Sequence, residues 1–163
     1  MKDFQFRMPA KIKFGVGISK TTAELCMELG AKKVFVLTDS NILKTNILSP
    51  IKESFETAKL PYEIYSDIIP DPDIETVDKT AEVLKSSGAD LVVAVGGGSP
   101  IDTAKSICML QTNEGTVRDY LFGGTKTVTN PCMPLVCIPT TAGSGSEMTA
   151  AAVITDNQNK IKL

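Results

Sequence analysis

Residues 91–102 read Leu-Val-Val-Ala-Val-Gly-Gly-Gly-Ser-Pro-Ile-Asp, and this stretch limits the fold more than any other. Five apolar residues without alternation are the pattern of a strand covered on both faces, as in the centre of a parallel sheet. Three glycines, Gly96, Gly97 and Gly98, then lead straight into a helical pattern from Ser99 to about Leu110. Glycine lets the backbone approach a bulky anion and bare its N–H groups. A helix start adds unpaired donors and the positive end of the helix dipole. The arrangement predicts a phosphate or pyrophosphate ligand; the bland alternative is a tight strand–helix turn that binds nothing. Ser99, Pro100 and Asp102 are expected as N-cap, N1 and N3, an S-x-x-D capping box. Two named motifs are excluded. GxxxxGK[ST] lacks its lysine, and GxGxxG lacks its third glycine because Pro100-Ile101 follows.

The remaining pattern alternates strands with helices. Lys11–Gly15 reads as a short strand and Gly15-Val16-Gly17 as a turn. A helix is expected from about Ser19, with Ile18, Thr22, Leu25 and Leu29 on one face and Gly30 just past its end. Lys33–Asp39 is a strand. Ser49-Pro50 opens a helix as N-cap and N1, with Ile51 and Phe55 inward. Tyr62–Ser66 alternates as a strand, and Pro70-Asp71-Pro72-Asp73 is a stiff turn. The next helix buries Ile74, Val77, Ala81 and Leu84. Leu135–Ile138 reads as another buried strand, and residues 151–155 and 160–163 flank Asp156–Asn159 as a hairpin. The predicted fold is therefore α/β: a Rossmann-like parallel sheet with helices on both faces, plus an antiparallel hairpin near the C-terminus.

Composition removes several functions. Seventeen basic residues against 19 acidic ones give a net charge of −2, which argues against a nucleic-acid or anionic-membrane partner. Histidine is absent, so this chain holds no Ser-His or Cys-His pair, no HExxH site and no histidine-ligated zinc. Cys26, Cys108, Cys132 and Cys137 form no CxxC pair and read as reduced thiols of a cytoplasmic protein. Met1-Lys2-Asp3-Phe4 does not open a signal peptide, and the longest uncharged stretch, Thr127–Ser146, carries three prolines.

Two further features bear on chemistry. Asp39 closes a strand, where an acid can accept from a ribose hydroxyl and repel a 2′-phosphate, or simply cap the following loop. It precedes Gly96 by 57 positions (96 − 39), whereas the ordinary dinucleotide fingerprint puts its acid after the glycines. Thr140-Thr141-Ala-Gly-Ser144-Gly-Ser146 follows a strand at the end where open α/β sheets bind ligands. Its alternative is a flexible Gly/Ser loop.

Together with Phe14-Gly15-Val-Gly17, Leu37-Thr38-Asp39, Pro70-Asp71-Pro72, Ala89–Asp102 and Ile138–Thr149, these motifs recur in order over nearly the whole chain. In that combination the sequence resembles the N-terminal half of the iron-containing (group III) alcohol dehydrogenases. The resemblance implies that residues 1–163 are an NAD(P)-binding N-terminal domain, cut short of a helical C-terminal domain that holds Fe2+ or another divalent metal. The full enzyme would interconvert a small primary alcohol or diol and its aldehyde by metal-assisted hydride transfer, as a homo-oligomer. This chain would bind the dinucleotide without turnover, with no catalytic residue and no metal ligand of its own. By resemblance Gly97, Gly98 and Ser99 contact the pyrophosphate, and Asp102 lies toward the nicotinamide ribose. Thr140, Thr141 and Ser144 line the adenine–ribose region or the far flank of the pyrophosphate. Asp39 favours NAD over NADP, and Asp71 sits beside the adenosine half. Thr149 and Lys162 stand near the nicotinamide and its ribose, and Ala150-Ala151-Ala152 departs from members with a polar side chain there. A stand-alone nucleotide- or phosphate-binding module and the N-terminal domain of a glycerol-dehydrogenase-like relative remain as alternatives. A domain parted from its helical half is expected to expose apolar surface.

Overall fold

The computed structural model describes residues 11–162. The expectations for Met1–Phe4 and for the last strand residue, Leu163, lie outside the described residues. In chain order the elements are α1 (Thr22–Glu28), β1 (Val34–Leu37), α2 (Ser40–Leu43), α3 (Ser49–Ala58), β2 (Tyr62–Tyr65), α4 (Ile74–Ser87), β3 (Leu91–Gly96), α5 (Gly98–Leu110), β4 (Leu135–Pro139), β5 (Thr155–Asp156) and β6 (Ile161–Lys162). Four strands form one parallel sheet in the order β2-β1-β3-β4, and β5 pairs antiparallel with β6.

Alternation along the strands sorts their side chains into two cores. Phe35, Leu37, Val92 and Ala94 face α4 and α5, and meet Val77, Leu84, Ile101 and Ile107. Val34, Val36, Leu91, Val93 and Val95 face the other way, onto Ala23, Cys26, Ile51 and Phe55. β1 and β3 are buried at every residue, which is why both read as unbroken apolar runs. The expected inward faces of α3 (Ile51, Phe55) and α4 (Ile74, Val77, Ala81, Leu84) are the observed ones.

Five local expectations are corrected. Residues 11–15 form no strand, since an extended run needs a hydrogen-bonded neighbour and they have none among the described residues. The first helix begins as a 3-10 turn, Ile18–Thr21, so a 3.6-residue count started at Ile18 goes out of phase. Its buried face is Thr22, Ala23 and Cys26, while Ile18 and Leu29 are exposed. Ser49 is the first helical residue rather than the cap, a position held by Leu48 without a side-chain bond. Residues 135–138 are half-buried rather than buried, because β4 is the edge of the sheet and lacks a neighbour on one side. Finally, the Ser99 capping box does not form. The glycines accept helical geometry, so α5 starts at Gly98 with Gly97 as its cap, which moves Ser99 and Asp102 inside the helix.

Phe14, Val16 and Phe122 are almost fully exposed, 98%, 110% and 93%. Among the described residues no helix is long and apolar enough to cross a membrane.

Candidate nucleotide site

The strand order places a switch point between β1 and β3. From β1 the chain crosses to β2 on one side, and from β3 it crosses to β4 on the other. Ligands of open parallel sheets sit at such a point, beyond the carboxyl ends of the strands. Leu37 is in register with Ala94, and the Thr38 hydroxyl donates to the Val95 carbonyl at 2.8 Å. Asp39 is therefore one residue from a contact with the strand that ends in the glycines. The long sequence gap between acid and glycines closes because they end adjacent parallel strands.

At this edge Gly96 and Gly97 have steric reasons, and Gly98 lies in ordinary contact with the facing loop. Gly96 has φ +153°, and a Cβ there would lie 2.7 Å from Pro100 Cγ. At Gly97 a Cβ would come within 3.1 Å of Thr141 Oγ1, and at Gly98 within 3.5 Å of Ser144 Cβ. The glycine turn and the Thr/Ser loop thus face each other closely, with Thr140 N donating to Gly96 O at 2.9 Å. Gly98 and Ser99 open the 13-residue helix α5, whose first N–H groups have no carbonyl to reach within the helix. Among the described residues they donate to no other protein acceptor. The residues fit a pyrophosphate: unpaired donors and the positive end of a helix dipole.

Asp39 has a second task. Its Oδ1 accepts from Asn41 N at 2.8 Å and Ile42 N at 3.0 Å, capping the short α2. Sequence position had left this cap and the ribose contact as equal readings, and one carboxylate oxygen is not used by the cap.

Asp71 and Lys162 come together as an ion pair. Asp71 has φ +51°, a conformation that costs a residue with a side chain about 1 kcal/mol or more. Its N–H donates to Ser99 Oγ at 3.2 Å, so Asp71, Ser99 and Lys162 are one cluster at the start of α5.

Asp102 and Thr149 form another cluster, around a lysine that the motif reasoning passed over. Lys105 Nζ contacts Asp102 Oδ1 at 3.1 Å, Ser146 Oγ at 2.9 Å, Thr149 Oγ1 at 3.1 Å and Ala151 O at 2.6 Å. Asp102 also accepts from the Ser146 hydroxyl and from Val153 N at 3.2 Å. Asp102 and Lys105 side chains are each 12% exposed. This pair holds residues 146–153 against α5. The signal was present: Asp102 and Lys105 are the only charged residues in a helix with nine buried residues, three positions apart on one face.

The hairpin carrying Lys162 is tied down by polar groups. Arg118 makes two bonds to Asp156, at 2.7 and 3.3 Å. Asn159, more than any other group, holds the Asp156 carboxyl down at about 2; Arg118 and the N–H groups of Gln158 and Asn159 add to the effect. Thr155 N donates to Pro72 O at 2.9 Å, and Asn157 to Asp73 at 2.7 Å. Two concavities of about 220 and 300 Å³ flank Arg118, whereas the glycine edge is an open shelf with Thr141 and Ser144 exposed.

No group of three or more His, Cys, Asp or Glu side chains suited to a metal occurs among the described residues. The described residues offer no set of side chains that fits the divalent metal implied by resemblance.

An open parallel sheet with an anion-receptive glycine turn at its switch point defines the class of domain. The model of the iron-containing alcohol dehydrogenases matches residues 9–163. A choline dehydrogenase of Bacillus subtilis (strain 168) is 40% identical over 158 residues, covering 96% of this chain and 39% of that protein. The structure of a 1,3-propanediol oxidoreductase superposes with a TM-score of 0.91 at 31% identity, over 99% of this chain and 42% of that one. A sulfoacetaldehyde reductase from Bifidobacterium kashiwanohense, solved in complex with NAD+, gives 0.89 at 25% identity, over 99% and 42%. The chain belongs to the iron-containing alcohol dehydrogenase family. It spans about 40% of the length of the relatives it matches.

Proposed function

We propose that residues 1–163 form the NAD-binding half of an iron-type alcohol dehydrogenase. The whole enzyme would interconvert a small primary alcohol or diol and its aldehyde. The observation that carries this reading is the glycine turn at the start of α5, faced by Thr141 and Ser144 and lying beside Asp39.

When bound, the dinucleotide supplies the hydride that passes to or from the substrate carbon. The chain's own residues bind and orient it. The backbone of Gly97, Gly98 and Ser99 holds the pyrophosphate, with Gly97 leaving room for Thr141 of the facing loop. Thr140, Thr141 and Ser144 flank it from the β4 side. The carboxylate oxygen of Asp39 left over from capping accepts from the adenosine ribose and repels a 2′-phosphate, which supports NAD over NADP. Lys162 donates to the nicotinamide ribose. Asp102 and Thr149 act at one remove, by holding the wall of residues 146–153. Ala150-Ala151-Ala152 give this side of the site a small, apolar wall.

Metal chemistry would belong to residues outside this chain. Homo-oligomer formation is supported by the exposed Phe14, Val16 and Phe122, and a cytoplasmic location by four free thiols.

Calorimetric titration of the folded chain with NADH and with NADPH tests the reading. The expected result is saturable NADH binding and at least about tenfold weaker NADPH binding, the effect of about 1.4 kcal/mol. A folded sample that binds neither overturns it.

A further inference from the structure

We infer that Asp71 is a positioning residue: it holds the Lys162 ammonium over the start of α5, and it does not itself touch the nucleotide. The inference rests on the reading of Lys162 as a dinucleotide contact and adds to it the group that aims this lysine.

Three observations point the same way. The Asp71 backbone is in the left-handed region, φ +51°, although it precedes Pro72 and is not glycine. That geometry is maintained from both sides. The Asp71 N–H is bound to Ser99 Oγ at 3.2 Å, and its carbonyl accepts from Thr155 Oγ1 at 3.5 Å. The unfavourable φ leaves the carboxylate facing β6, where Oδ1 pairs with Lys162 Nζ. Ser99, Asp71 and Lys162 therefore form a chain from the first turn of α5 to the last strand. It runs through a residue with a strained backbone.

The charge logic agrees. A carboxylate 70% exposed at the mouth of an anion site repels a pyrophosphate unless a cation neutralises it. Lys162 does so, and its three donors leave two for ribose hydroxyls. Lysine is a flexible point charge on a four-carbon stem, so without a partner its ammonium samples many positions. Pairing with Asp71 narrows them before the ligand arrives.

The test is a double-mutant cycle read by NADH affinity in the full 163-residue chain, with Asp71→Asn, Lys162→Met and both together. Asp71→Asn is expected to weaken NADH binding about two- to fivefold, the range of an exposed ion pair. In the Lys162→Met background the same change is expected to have no further effect, and Asp71→Glu is expected to restore most of the affinity. A purely structural role for Asp71, or a direct nucleotide contact, gives additive losses instead and overturns the inference. A second reading needs no ligand: the rate of Lys162 acylation by a soluble succinimidyl ester is expected to rise in Asp71→Asn, and an unchanged rate refutes the pairing. If the wild-type chain binds no NADH while the acylation rates differ, the dinucleotide reading fails but the ion pair stands, which separates the two failures.

Discussion

Replacing Lys105 by Met removes the cation buried between α5 and residues 146–153. Met keeps most of the stem's volume, so the change isolates the ammonium. Four contacts are lost: a charge-assisted bond to Asp102 at 3.1 Å and bonds to Ser146 Oγ, Thr149 Oγ1 and Ala151 O between 2.6 and 3.1 Å. Both partners of the ion pair are only 12% exposed, so solvent screens little of the loss. Breaking a buried pair costs about 3–5 kcal/mol when the remaining charge is stranded. Here Asp102 keeps the Ser146 hydroxyl and Val153 N as donors, which lowers the expected cost to about 2–3 kcal/mol. In a domain of this size that is a fall in Tm of about 5–10 °C. Urea unfolding followed by circular dichroism measures it. Adding Asp102→Asn is expected to cost less than the sum of the single changes, with coupling of about 1–2 kcal/mol. A loss below about 0.5 kcal/mol for Lys105→Met refutes the argument that this lysine holds the wall of the site.

Three other outcomes are expected. Gly96→Ala puts a methyl 2.7 Å from Pro100 Cγ at φ +153°, so it is expected to destabilise the chain by about 1–3 kcal/mol and to weaken NADH binding, measured by thermal melting and titration. The Asp156 carboxyl titrates near about 2 when folded, below its unfolded value of about 4. Its stabilisation of the hairpin is thus complete above about pH 4 and lost as pH falls through about 2, so amide exchange at residues 155–162 is expected to accelerate over that window in wild type and not in Asp156→Asn. Among the thiols, burial lifts Cys26 to about 12 and Cys137 to about 11, and Cys108 is fully buried, while Cys132 is exposed. Near pH 8 a disulfide reagent is expected to modify Cys132 first in the native chain and all four thiols after unfolding, as mass spectrometry of the tryptic peptides would show.

What the sequence could reveal followed the range of its signals. Leu91–Val95 and the Ile74–Leu84 face carry their burial in local periodicity, and both were read correctly. The sheet with helices on both faces followed from the alternation of these runs. Where a choice depended on phase or neighbours, local reading failed. The 3-10 turn at Ile18 shifted the face of α1, and the edge position of β4 left a strand of core composition half-exposed. At the site, the glycines and the Thr/Ser loop were recognisable as motifs, but that Gly97 meets Thr141 is a fact of β3–β4 register. Ser99 looked like a cap because Ser-Pro commonly opens helices; its hydroxyl binds Asp71 instead. Lys105 pairs locally with Asp102, but its other three partners lie 41 to 46 positions away, so its role in holding residues 146–153 is not local.

The order β2-β1-β3-β4 also governs how the chain is made. Val34 lies between Tyr62 and Leu91 in the sheet, and Leu91 comes 57 positions later (91 − 34). A nascent chain that has reached Asp90 holds β1 with one edge unpaired and one apolar face covered by α4 alone, since α5 and β3 are still to come. Such a half-sheet offers both a strand edge and an incompletely covered Phe35 and Leu37 to other chains on a crowded polysome. Synthesis past Leu110 delivers the missing strand and its covering helix within 20 residues (110 − 90). The glycine turn therefore joins the strand and the helix that together close the middle of the sheet, with β4 still to be added.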